Sequence, residues 1–415
     1  MGNQTRLRYL IVGGGLTAAR AIEGIRQEDP EGLVTVVTAE PHLPYERPPL
    51  SKAVLLGKDE PAVAFPHPGQ WYEEQGVELR VGDPAVEVDA SGRRVRLRGG
   101  DWLAYDRLLL ATGSSVRRLG VPGADLPGVH YLRTLDDSLA LLERLRSGGD
   151  VVVVGAGWIG LEVAAAAREH GCRVTILEPQ PAPLLAVMGE RVGGWFADLH
   201  SEHGVDVRLG TGVARFAGEA AVRGVVTGDD VTIPADTVVV GVGIRPNTEL
   251  GETAGVAVDN GLLTDSALRT GVDGIWAAGD VANWRSTLFG RHLRVEHWAN
   301  ANDGGLAAGR SMAGAEVEYD PVPFFFSDQY DVGLEYAGYV PPDSGAQVIL
   351  RGDPGTGAFL AFWVVPDGDA VRVLAGMHVN TWDTMDAVQA LIRSGAGVSA
   401  GRLADPAVPL DDLAG

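Results

Sequence analysis

Cysteine is nearly absent: the chain of 415 residues has one, Cys172. That excludes an internal disulfide, a four-cysteine zinc site, a cysteine-ligated iron–sulfur cluster and a redox-active cysteine pair. Long apolar runs are absent too. The stretch 7–16 is broken by Arg8 and runs into three glycines, without the small-residue cleavage pattern of a signal peptide. No uncharged apolar stretch approaches the ~18 residues of a membrane helix. A cytoplasmic protein without a membrane span is the expectation. Basic charge is scarce, with 34 Lys and Arg against 55 Asp and Glu and a formal net charge of −21. Nucleic acid is therefore excluded as a default partner. What the chain has in excess is glycine, 57 residues, beside 24 prolines, which points to tight turns and close backbone approaches. The length argues for two or three domains.

Two copies of one pattern organise the chain. The β-branched run 9–12 leads into Gly13-Gly14-Gly15-Leu16-Thr17-Ala18, and a helical pattern follows over 17–27. The run 151–154 leads into Gly155-Ala156-Gly157-Trp158-Ile159-Gly160, and a helix over 158–170 stops at Gly171, a C′ glycine. Strands follow at 34–38 and 173–177, ending in Glu40 and Glu178. In such strand–turn–helix units the first glycine allows the turn and the second admits a pyrophosphate. The third, or Ala18 in the first copy, lets helix and strand pack. The phosphates sit at the helix N-terminus, and the acid about 20 residues on accepts from a ribose diol. One such match is weak evidence; two in the right context, each with its acid, predict two dinucleotide sites. A carboxylate at 178 and no Lys or Arg over 179–190 favour NAD(H) over a 2′-phosphorylated cofactor.

Three further buried strands end in small-residue turns: 105–113 ending in Thr112-Gly113, 235–243 ending in Gly243, and 274–282 carrying Gly279-Asp280. With Pro44-Tyr45-Glu46-Arg47-Pro48-Pro49-Leu50-Ser51-Lys52, Leu132-Arg133-Thr134-Leu135-Asp136-Asp137, Gly160-Leu161-Glu162, Glu296-His297-Trp298-Ala299-Asn300-Ala301 and Phe326-Ser327-Asp328-Gln329-Tyr330-Asp331, the chain resembles the oxygenase-coupled ferredoxin, rubredoxin and putidaredoxin reductases. It is also similar to apoptosis-inducing factor. The resemblance spans residues 7 to 406.

It implies an α/β fold of glutathione-reductase-like architecture. Two Rossmann-like domains would bind FAD and NAD(H), and a C-terminal α+β domain would follow. The expected FAD domain is 1–118 with 245–318, the NAD domain 119–244 and the C-terminal domain 319–415. The resemblance implies that Lys52 reaches the flavin edge and pairs with Glu162 across the domain interface, holding flavin and nicotinamide in register. Arg47 and Arg133 are implied contacts to phosphate or flavin, Asp280 to the ribityl chain, Glu40 to the adenosine ribose, and Trp298 to a ring. Leu16, Val86, Thr112 and Gly113 are implied close-packing contacts, with Ile159 and Gly243 in the NAD half. Glu162 reads as an acid on the first turn of its helix. Where relatives often carry Trp, this chain has Phe326.

His200 and His203 have metal-ligand spacing with no third ligand nearby, so a pair on a helix surface is expected and no metal. Cys172 reads as a small buried hydrophobe. With no cysteine near the Lys52 loop, electrons must leave the flavin directly, for an external ferredoxin or rubredoxin serving an oxygenase or cytochrome P450. The alternative is a slow, NADH-binding, redox-responsive flavoprotein that dimerises, like apoptosis-inducing factor; a homodimer is possible under either reading. The arginines at 93, 94, 96 and 98, at 117 and 118, and at 285, 291 and 294 are candidate docks for an acidic partner, or solvated loop charges.

Overall fold

The computed structural model describes residues 6–413. It divides into two compact units: one formed by the chain up to Pro48 with Pro61–Ser115 and Ile244–Pro323, the other by Pro49–Glu60, Val116–Gly243 and the chain from Phe324 on. The sequence reading separates three domains and keeps residue 52 with the first. By packing, residues 49–60 and the C-terminal segment cluster with the second glycine motif.

In the first unit, five parallel strands stand in the order Ile275–Ala277, Arg107–Leu110, Arg8–Val12, Leu33–Thr38, Val77–Val81. The apolar runs of the inner strands are those of a sheet covered on both faces, while the edge strand Val77–Val81 carries Glu78 and Arg80 and is half-buried to exposed. Helix Leu16–Glu28 connects Arg8–Val12 to Leu33–Thr38. Helix Trp298–Met312 lies against it at backbone distance, because the contact is made of glycines. A Cβ at Gly309 would stand 2.1 Å from the Ala21 carbonyl oxygen, and one at Gly24 2.3 Å from that of Leu306. An antiparallel three-stranded ribbon over 85–104 and a mixed one, Leu262–Thr264, Ala282–Ser286 and Arg291–Leu293, complete the unit.

The second unit carries another five-stranded parallel sheet, ordered Asp206–Leu209, Arg173–Glu178, Asp150–Val154, Thr237–Val240, Val129–His130. Helix Trp158–Glu169 ends as the sequence predicts. Gly171 takes φ +81°, its N–H donates to Arg168 O, and the Cys172 N–H donates to Ala167 O, a Schellman motif.

The C-terminal segment forms an antiparallel sheet ordered Phe324–Gln329, Val332–Gly338, Ala370–Val379, Ala358–Asp367, Gln347–Asp353. The sequence over 324–339 reads as strand in a small antiparallel sheet, and the chain reverses within it at Tyr330, φ +57°, to make a hairpin. The sequence over 385–393 reads as a helix with Asp383 or Thr384 as its cap and Gly395 as its stop, and the helix Met385–Ser394 ends at Gly395, φ +60°. Thr384 does not cap it with its side chain; that hydroxyl donates to Thr381 O. One apolar cluster runs from Leu55 through Val153, Leu161 and Phe196 to Leu334 and Met377, so the three segments of this unit share a core.

Because no side chain fits between helices Leu16–Glu28 and Trp298–Met312, Gly309→Ala should destabilise the chain by about 2–3 kcal/mol. Denaturant unfolding would register the change.

Candidate functional site

In the first unit, the predicted site residues gather at the carboxyl ends of the parallel strands. The glycines of the first turn divide the work. Gly13 sits at φ +138°, and a Cβ there would meet the Ala111 carbonyl oxygen at 2.0 Å, so this position serves strand packing. Gly15 precedes the helix, caps it with no side chain, and a Cβ there would meet nothing within 4 Å. That open space lies at a helix N-terminus, where N–H groups and the dipole favour an anion. Leu16 and Ala18 are buried behind it.

Gly279, φ +75°, brings the Asp280 turn onto the same helix start, since a Cβ there would strike Thr17 Oγ1 at 2.5 Å. Glu40 holds the far end. Its Oε2 accepts from Tyr45 OH at 2.5 Å, and its Oε1 lies 3.4 Å from Arg47 Nη2. Arg47 also lies over the Tyr45 ring, 5.4 Å from its centroid.

Gly113, φ +64°, and Thr112 are fixed by Asn247. The Thr112 hydroxyl donates to Asn247 O at 2.7 Å, the Asn247 amide donates to Thr112 O at 2.9 Å, and the Asn247 N–H donates to Gly113 O. Sequence reasoning missed Asn247; its signal was the Arg245-Pro246-Asn247 run just beyond Gly243. Trp298 opens its helix half-exposed and donates from Nε1 to Glu46. Burial, opposed by Asp280, pulls the neighbouring His297 down to about 4, so its imidazole is neutral. Val86 lies on the antiparallel strand Ala85–Asp89, with its side chain exposed.

The second turn repeats the division. A Cβ at Gly155, φ +99°, would meet Gly241 O at 2.4 Å, and one at Gly160 would meet Gly155 O at 2.1 Å; at Gly157 the space is open. Ile159 is exposed on the first helical turn. Glu178 turns back to the glycine loop, accepting from the Ala156 N–H at 2.7 Å and from the Gln180 N–H at 2.9 Å. Its carboxylate thus stands at the rim of the open helix start. Gly243, φ +97°, accepts the Arg117 N–H at its carbonyl. Both turns therefore fit a dinucleotide pyrophosphate on one observation: the middle glycine of each faces free space at a helix N-terminus.

Also in the second unit, Lys52 Nζ lies 2.6 Å from Glu162 Oε1. Ser51 Oγ donates to Oε2 at 2.5 Å and Ser327 Oγ to Oε1 at 2.6 Å. Glu162 is 5 % exposed, so its charge is held almost wholly by these three donors. It is the fifth residue of its helix, beyond the first turn on which the sequence places it, and so outside the reach of the helix dipole at the N-terminus. Lys52 Nζ also faces the Phe326 ring, 5.5 Å from its centroid. Ser51 and Ser327 were not singled out from sequence, though both lie inside the motifs 44–52 and 326–331 that carry the family resemblance. The Arg133 motif is a helix start. Thr134 and Asp137 form a capping box, and the Arg133 N–H donates to Asp137.

Several other expectations change. His200 is fully buried rather than on a helix surface, because that helix face packs against the strand Phe324–Gln329 side of the core. No group of three metal-ligating side chains occurs among the described residues. Cys172 is buried as expected, with Sγ 3.3 Å from Leu145 O, and burial pushes its thiol up. Most of the candidate docking arginines are ion-paired. Arg93 pairs with Asp273, Arg94 with Asp89, Arg96 with Glu87, Arg118 with Asp125 and Arg294 with Glu296. No helix among the described residues is long and apolar enough to cross a membrane.

Comparison with known proteins agrees with this geometry. Residues 7–305 match the family model of the pyridine nucleotide-disulphide oxidoreductases, and residues 324–414 match the reductase C-terminal domain. The ferredoxin–NAD(+) reductase component of the anthranilate 1,2-dioxygenase system of Burkholderia cepacia is 39% identical over 97% of this chain and 98% of its own. Rhodocoxin reductase of Rhodococcus erythropolis is 39% identical over 86% of this chain and 83% of its own. The reductase in the covalent putidaredoxin reductase–putidaredoxin complex superposes with a TM-score of 0.93 at 33% identity, covering 99% of this chain and 98% of that one. The chain belongs to the pyridine nucleotide-disulphide oxidoreductase family, is built like its ferredoxin reductases, and uses FAD and NAD(H).

Proposed function

We propose that this chain is an NADH-dependent reductase of a ferredoxin- or rubredoxin-type protein that serves an oxygenase or cytochrome P450. Bound FAD supplies the chemistry of accepting a hydride and releasing its two electrons one at a time. The observation that carries the reading is the cysteine inventory. The family is named for disulphide chemistry, yet the only thiol here is buried against Leu145 and pushed away from the reactive thiolate. No internal disulfide is available to receive electrons, so they pass to an external acceptor. The reductase relatives and the putidaredoxin complex support an iron–sulfur protein as that acceptor. A free thiol and a need for NADH suit the cytoplasm.

We assign FAD to the domain 1–118 with 245–318, NAD(H) to 119–244, and 319–415 to the C-terminal domain. Gly13, Gly15, Leu16 and Ala18 would shape the FAD phosphate cradle, with Glu40 on the adenosine ribose and Asp280 on the ribityl hydroxyls. Arg47, Arg133, Val86, Thr112, Gly113 and Trp298 would line that site. Gly155, Gly157, Ile159, Gly160 and Gly243 would hold the NAD(H) side, with Glu178 on its ribose. Lys52, fixed by Glu162, would present a cation to the reducing end of the flavin, favouring electron density there.

Lys52→Ala should slow reduction of the bound flavin by NADH at least tenfold, read by stopped-flow bleaching of the flavin band. A wild-type rate would remove Lys52 from the mechanism. Glu178→Ser removes the carboxylate that repels a 2′-phosphate, so kcat/KM for NADPH relative to NADH should rise about tenfold. Steady-state NADH–cytochrome c assays test the function itself. Added ferredoxin should stimulate turnover strongly; slow turnover with no response to any ferredoxin would contradict the proposal.

A further inference from the structure

His200 belongs to no function assigned so far, yet it is fully buried and both ring nitrogens are engaged. Nε2 lies 2.9 Å from Gln329 Oε1, and Nδ1 lies 3.0 Å from the Tyr330 hydroxyl. Gln329 is itself buried, and its amide nitrogen donates to Ser327 Oγ at 3.2 Å. Ser327 donates to Glu162, which holds Lys52. Five hydrogen bonds therefore run from Tyr330 to Lys52 within one compact unit.

The direction of every one is forced from the Glu162 end. An ionised carboxylate only accepts, so the Ser327 hydroxyl proton points at Glu162. The Ser327 lone pairs are then open only to a donor, which orients the Gln329 amide with its NH2 toward Ser327. Gln329 Oε1 therefore faces His200 and needs a donor, so His200 is protonated on Nε2. Its Nδ1 lone pair then accepts the Tyr330 proton. Burial holds the ring neutral, pulling it down to about 4, with the Gln329 bond opposing and His203 assisting.

We propose that His200 is a positioning residue for the Lys52–Glu162 pair, acting through Gln329 and Ser327. Without a donor at position 200 the Gln329 amide turns over, its oxygen draws the Ser327 proton, and Glu162 loses one of its three donors. Lys52 is then less tightly placed. A role in packing alone would require only volume at position 200.

The test uses the FAD-loaded protein. A long-range 1H–15N spectrum at pH 7 should show the Nε2–H tautomer for His200, assigned by its loss in His200→Gln; an Nδ1–H tautomer or a charged ring overturns the proposal. In stopped flow, His200→Phe should slow flavin reduction by NADH about tenfold, the rate equivalent of one buried hydrogen bond. His200→Gln, which restores a donor near the Nε2 position, should stay within about twofold of wild type, with KM for ferredoxin unchanged in both. A wild-type rate in His200→Phe, or equal slowing in His200→Gln, overturns the proposal. Should His200→Phe not fold, Tyr330→Phe removes the terminal donor without a large cavity. It should slow reduction about threefold, and a wild-type rate there is equally contrary. The kinetic arm rests on the electron-transfer reading above, whereas the tautomer does not. A chain inert to NADH but protonated at His200 Nε2 would contradict that reading alone.

Discussion

A single buried carboxylate constrains more of this molecule than any other group. Taking Glu162 out of water costs several kcal/mol unless charge and hydrogen bonds replace its hydration. The replacements come from separate parts of the chain: Ser51 and Lys52 from the loop after two prolines, and Ser327 from the C-terminal sheet. Each is needed at the same point, so the helix Trp158–Glu169, residues 49–60 and the strand Phe324–Gln329 must pack together. That requirement explains why these segments form one compact unit although they are far apart in sequence. Ser138 donating to Leu50 O, and His170 approaching Leu55 O, reinforce the same join.

The other organising constraint is close backbone approach. Gly13, Gly155 and Gly160 permit strands and helices to meet where a methyl group would collide with a carbonyl oxygen. Gly15 and Gly157 leave space instead of filling it. The glycine excess is therefore two kinds of requirement in alternation: tight packing beneath a helix start and vacancy above it. The acids Glu40 and Glu178 close the outer edge of each turn.

Local features were legible in the sequence because their causes are local. The strands, both glycine turns, the C′ role of Gly171 and the stop at Gly395 follow from adjacent residues. The resemblance to the reductases located the Lys52–Glu162 pair, which the structure brings to 2.6 Å. What was not legible depended on distant partners. His200 and His203 present the same spacing on a buried helix face as on an exposed one, and only the facing strand decides. The arginines look like a free basic surface until Asp273, Asp89, Glu87 and Glu296 are seen beside them. The reversal at Tyr330 was hidden because Tyr330 adopts a left-handed conformation without a glycine to announce it.

These constraints converge on the path of the electrons. The scaffold is that of enzymes named for disulphide chemistry, while the lone cysteine is packed as an apolar side chain far from reactivity. The chain is acidic, net −21, and most of its candidate docking arginines are already ion-paired, so recognition of an acidic acceptor falls to shape and a few placed contacts more than to bulk attraction. The most direct test of the central claim is the rate of NADH-driven ferredoxin reduction in Cys172→Ala. The account predicts a rate equal to wild type, because electrons leave from the flavin without a thiol. Loss of ferredoxin reduction in a folded, FAD-loaded Cys172→Ala protein would contradict it.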